Sequence, residues 1–161
     1  MSTAKNILFE RHQDWVLLVH GADPPNDDEW ARYADVLRDA ANSSGRGLLA
    51  LTDGVGPNAL QRKQVSDVKM RGAIVTLSRV ARGIVTALGW VGVEIKAFPP
   101  EDLEDALDYL EIDAQLRLPM RRRLAEMRLE LAGEDPAPAS TMTESALQEL
   151  LGRSIANVSA S

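Results

Sequence analysis

Apolar positions along the first two thirds of the chain alternate between two periods. Ile7-Leu8-Phe9 and Trp15-Val16-Leu17-Leu18-Val19 are short β-rich runs split by Arg11-His12-Gln13-Asp14. So short a gap makes a hairpin, hence antiparallel neighbours. Asn26 with Glu29 three positions on is the signature of a reciprocally capped helix start. Trp30, Tyr33, Ala34, Leu37 and Ala41 continue it at helical spacing. Ser43-Ser44-Gly45-Arg46-Gly47 ends that helix and leads into Leu48-Leu49-Ala50-Leu51, apolar on both faces as a fully covered strand is. A thinner helix is predicted over about 57–68, because proline suits a first turn whose N–H would be unpaired anyway. Ala73-Ile74-Val75-Thr76-Leu77 again reads as strand. Val80, Ile84, Ala87, Leu88 and Val91 define one helical face. Val93-Glu94-Ile95-Lys96-Ala97-Phe98 alternates like a half-buried edge strand, and Pro100, Leu103, Ala106, Leu107 and Leu110 begin another helix.

The predicted order through residue 111 is β-β-α-β-α-β-α-β-α. Apolar strands alternating with helices imply an α/β fold with an open, mostly parallel five-stranded sheet and one antiparallel hairpin strand. The pattern then changes. Residues 112–132 form a basic amphipathic helical extension with five Arg against three acids. Pro119 is expected to start its helix, with Met120, Leu124, Met127 and Leu131 on one stripe. Residues 133–142 read as a linker containing Pro136 and Pro138. A last helix over 143–155, capped by Thr143, gathers Leu147, Leu150, Leu151 and Ile155.

Composition narrows the function. The chain has 161 residues, 45% of them apolar, and 18 Lys+Arg against 24 Asp+Glu give a net charge of -6. An acidic balance speaks against a nucleic-acid binder, whose phosphate contacts need a basic surface. The chain has no Cys, which leaves no disulfide framework, zinc ribbon or thiol catalyst. No apolar stretch approaches the ~18 residues of a membrane span, and the first residues lack a signal-peptide cleavage pattern. A soluble, cytoplasmic protein is expected.

Three segments carry a resemblance. They are Leu51-Thr52-Asp53-Gly54-Val55-Gly56-Pro57-Asn58-Ala59-Leu60-Gln61-Arg62, then Ser78-Arg79-Val80-Ala81-Arg82-Gly83-Ile84-Val85-Thr86-Ala87-Leu88-Gly89-Trp90, and Ile95-Lys96-Ala97-Phe98 with Glu104-Asp105-Ala106-Leu107-Asp108-Tyr109-Leu110. With the element order, residues 6–111 resemble the STAS fold and in particular the SpoIIAA-like proteins, bacterial relatives of the anti-sigma-factor antagonists. The resemblance implies a non-catalytic regulatory module that docks to protein partners. In the antagonists a Ser or Thr in an Asp-Ser-Ser-Gly-like signature is phosphorylated. Here Asp53 is followed by Gly54-Val55-Gly56-Pro57-Asn58, without a hydroxyl, so the docking role carries over and that modification site does not. A distant fold relation to the CRAL-TRIO lipid-binding domains implies the alternative of a carrier for a small apolar or lipid-like ligand between sheet and helices.

The candidate partner surface comprises Asp53, Gly54, Gly56, Asn58, Gln61 and Arg62 on the loop and second helix, with Arg79, Arg82, Thr86 and Trp90 on the next helix. Arg and Trp presented together suit a docking surface. Gly54 to Ala59 also matches G-x-G-x-x-A, the dinucleotide fingerprint, but Pro57 removes an amide and no acid ends the following strand, so no cofactor is expected. Asp23, Asp27, Asp28 and Glu29 could offer oxygens to a cation, yet acids in a first helical turn complement its dipole without one. His12 and His20 lack a third ligand, so no metal is expected. His20 near Asp53 could form an acid–base pair, without the local signatures of a catalytic set. Arg121, Arg122, Arg123 and Arg128 share a helix with Met120, Leu124, Met127 and Leu131. With Leu147, Leu150 and Leu151, that apolar stripe can either pack on its own sheet or dock a partner or second copy.

Overall fold

The computed structural model describes residues 5–52, 56–78, 82–83 and 94–152. Strand β1 (Ile7–His12) turns through Gln13, at φ 55°, into β2 (Trp15–His20). The polar residues Arg11 and His12 belong to the strand, so the hairpin is tighter than the apolar pattern alone implied. Helix α1 (Asp27–Ala41) is capped as expected: the Asn26 side chain accepts from the Glu29 N–H and the Glu29 carboxylate from the Asn26 N–H. Strand β3 (Gly47–Thr52), helix α2 (Ala59–Gln64), strand β4 (Arg71–Thr76) and strand β5 (Ile95–Phe98) follow.

The five strands lie in sequence order, β1 antiparallel to β2 and every later pair parallel. This order decides the layers. Parallel crossovers are right-handed, which sets the face that the β2-to-β3 connection covers. On that face Trp30, Tyr33, Leu37 and Ala40 of α1 pack on Ile7, Val16, Leu18, Leu48 and Ala50. The opposite face carries Trp15, Leu17, Val19, Leu49, Leu51, Ala73 and Val75.

The C-terminal helices cover it. A 3-10 turn (Pro100–Asp102) opens α3 (Leu103–Tyr109), which packs on β4 and β5. Helix α4 (Ala114–Leu131) packs on β1 and β2, and α5 (Glu144–Leu151) packs on α4. Met120, Leu124, Met127 and Leu147 are each at most 1% exposed in one continuous cluster with the sheet, joined by Leu150 and Leu151 and, partly buried, Leu131. The stripe offered in sequence for a partner or a second copy is therefore spent inside the chain.

Three further expectations change. Helix α4 begins at Ala114 with Pro119 inside it. The Pro136–Pro138 segment is no loose tether, since it winds into a 3-10 turn (Ala137–Thr141) that buries Ala139 against α4. Helix α2 spans six residues rather than twelve. The helix expected over 79–91 lies outside the described residues except for Arg82 and Gly83, whose backbone is helical.

Candidate docking site at the carboxyl ends of the strands

β3 and β4 end side by side, with Thr52 paired to Thr76. The chain leaving β3 reaches α2, and the chain leaving β4 begins with Leu77. Helix α2 is too short to hold itself together in water, so its neighbours fix it. Asn58 and Gln61 form a second capping box: the Asn58 Oδ1 accepts from the Gln61 N–H at 2.9 Å, and the Gln61 Oε1 accepts from the Asn58 N–H at 3.0 Å. The Gln61 amide Nε2 then donates to the Pro25 carbonyl at 3.0 Å and to Asp27 at 3.2 Å. Behind it, the Trp30 indole N–H donates to the Gln61 carbonyl at 2.7 Å.

This corrects the sequence reading at Gln61. The side chain is 2% exposed and is an anchor, turned inward against α1, rather than a contact for a partner. Asn58 is exposed but its side chain is engaged as the cap. What α2 turns outward is Leu60, 74% exposed, with Arg62 and Lys63. The Arg62 guanidinium bonds back to the Pro57 carbonyl at 2.8 Å, and space is open around the Gly56 Cα. Leu77, 43% exposed, is the other large apolar side chain in water among the described residues. Leu77 follows β4 directly, and Leu60 stands on the helix that the chain reaches after β3. The sequence pattern did not single out Leu60, although a leucine beside Arg-Lys on a thin helix was the available signal.

Of the remaining predicted residues, Asp53, Gly54, Arg79, Thr86 and Trp90 lie outside the described residues, so the suggested His20–Asp53 pair does too. Arg82 is half-buried, its N–H donating to the Ser78 carbonyl at 3.1 Å.

On the sheet face toward α1, His20, Thr52 and Thr76 close three adjacent strands, and all are buried. The His20 ring lies 6.3 Å from that of Trp30, and burial lowers its pKa from 6.5 to about 4. Glu29, buried as well, uses its carboxylate on the N–H groups of Asn6, Ile7 and Asn26. Asp27 serves Gln61. These acids are thus committed to backbone and side-chain donors, and His12 stands at the other end of the hairpin from His20, about 17 Å away at strand rise. Among the described residues no three acids or histidines are grouped to hold a metal ion, and no helix is long and apolar enough to cross a membrane.

Three arginines of the basic helix are paired within the chain. Arg117 and Arg121 pair with Glu104, Arg117 also with Asp108, and Arg123 with Glu10 and Glu126. Arg128, expected on a solvated face, is 1% exposed. Between sheet and C-terminal helices, Leu103, Leu107, Met120, Leu124 and Met127 are packed in one buried cluster.

Among solved structures, the chain is similar to that of a protein with a SpoIIAA-like fold. It is an uncharacterised protein of the DUF3478 family from Shewanella loihica PV-4, 21% identical, with a TM-score of 0.48, covering 68% of this chain and 98% of that one. No family model and no curated protein matches the chain. The sequence-ordered sheet, with its antiparallel hairpin strand and the C-terminal helical extension, has the open, mostly parallel five-stranded α/β topology that the sequence pattern implied.

Proposed function

We propose that this chain is a non-catalytic regulatory or scaffolding module that binds a protein partner through the 53–62 loop-helix, with the neighbouring 79–90 segment completing the surface. The observation that carries this reading is Leu60. It stands 74% exposed on a six-residue helix whose inner side is locked by Gln61. A rigid short helix presenting Leu beside Arg and Lys loses little freedom on binding, which is how preorganised surfaces gain affinity. Leu77, 43% exposed after β4, is a second apolar side chain open to a partner. The strand order adds support, because it never reverses, and open α/β sheets bind dinucleotides where it does.

Quantitative affinity capture from the native host tests this, comparing the wild-type chain with Leu60→Asp and Arg62→Glu. Specific proteins retained by the wild type and lost from both variants, with unchanged thermal unfolding, are the expected result. Identical recovery by folded variants would remove α2 from the binding surface.

A further inference from the structure

The far edge of the sheet has a different chemistry. Among the described residues β5 pairs with β4 alone. The Gly72 N–H donates to the Glu94 carbonyl at 2.8 Å. The alternation of a parallel ladder then directs the N–H and C=O groups of Ile95 and Ala97 away from β4. Beside this edge runs a groove of about 530 Å³ whose lining includes Lys96, Phe98, Asp102, Asp105 and Tyr109. The Lys96 ammonium lies 5.4 Å from the Phe98 ring centre and 5.8 Å from that of Tyr109, so the aromatic wall already faces a cation. The acids of the 3-10 turn and α3 divide by partner. Glu104 and Asp108 pair with Arg117 and Arg121 of α4, whereas Asp102 and Asp105, both exposed, make no ion pair with a described residue.

We propose that the β5 edge binds an extended basic segment of another protein. Its backbone pairs with Ile95 and Ala97, and its Lys or Arg side chains reach Asp102 and Asp105 beside the two rings. Strand addition supplies backbone hydrogen bonds and the flanking side chains supply selectivity. Charge decides the partner. An acidic segment would meet Asp102 and Asp105, and a second copy would bring the same acids and another net charge of -6 to the edge. This surface is separate from α2.

Fluorescence anisotropy on the full chain, with a labelled peptide of alternating Lys and Val, tests the proposal. Saturable binding is expected, weakened roughly tenfold in the Asp102→Asn/Asp105→Asn double variant and lost when alternate peptide amides are N-methylated at unchanged charge. Absence of binding overturns the proposal, as does binding that survives either change or that an alternating Glu and Val peptide matches. A dimer in sedimentation that the double variant strengthens would put a second copy on the edge and overturn it too.

Discussion

The guanidinium of Arg123 on α4 and the carboxylate of Glu10 on β1 are 113 positions apart in the chain and 2.7 Å apart in the fold. The pair fastens the C-terminal extension to the N-terminal hairpin. Both side chains are about one third exposed, so solvent screens the contact. A double-mutant cycle of Arg123→Ala and Glu10→Ala, read by urea unfolding, should give a coupling of about 0.5–1 kcal/mol that shrinks at high salt. Zero coupling would mean that this pair contributes nothing to holding α4 on the hairpin.

Gln61 supports α2 through its side chain, so Gln61→Ala strands the buried Pro25 carbonyl. A loss of about 1–3 kcal/mol is expected, against about 0.5 kcal/mol or less for Leu60→Asp one residue away. Chemical denaturation of the two variants separates an anchor from a contact; equal effects would contradict the division.

Gly45 is required for steric reasons. Its N–H donates to the Ala40 carbonyl oxygen at 2.7 Å, and an added Cβ would lie 2.3 Å from that same oxygen. Gly45→Ala should cost roughly 2 kcal/mol or more by displacing the end of α1. Gly56→Ala, with nothing near its Cβ, should change stability by less than about 0.5 kcal/mol. Differential scanning calorimetry distinguishes them.

Acid should loosen the fold through His20. Its ring is 4% exposed and its Nδ1 has no hydrogen-bond partner among the described residues. Desolvation lowers its pKa from 6.5 to about 4. The unfolded chain therefore takes up this proton at higher pH than the native one, and stability falls as pH drops through that window. The full loss is roughly 3 kcal/mol, about 2 kcal/mol of it between pH 6.5 and 5, above most carboxylate titrations. A His20→Leu variant should lose this part of the pH dependence in urea titrations. An unchanged profile would assign the acid sensitivity to other groups.

The periodicities revealed the strands and α1, because β2 and β3 are buried on both faces and the Asn26–Glu29 box is a local signal. The same logic applied one helix later would have found the true start of α2: Asn58 and Gln61 repeat the spacing, but Pro57 beside them suggested an earlier beginning. Pro119 misled in the same way. A proline normally marks a first turn, yet α4 gains enough from burying Met120, Leu124 and Met127 to bear the missing bond to the Gln115 carbonyl. The fate of that stripe could not be read locally at all. It depends on which sheet face α1 leaves uncovered, a property of strand order rather than of any segment. Burial of Arg128 and the inward turn of Gln61 were hidden for the same reason.

The strand order also imposes a schedule on synthesis. Every strand leaves the ribosome before the helices that shield Trp15, Leu17, Val19, Leu49 and Leu51 from water. At about 5–20 residues per second, translation leaves this half of the nascent protein greasy and unprotected for a matter of seconds, which makes the unfinished chain a client for chaperones in a way the finished one is not.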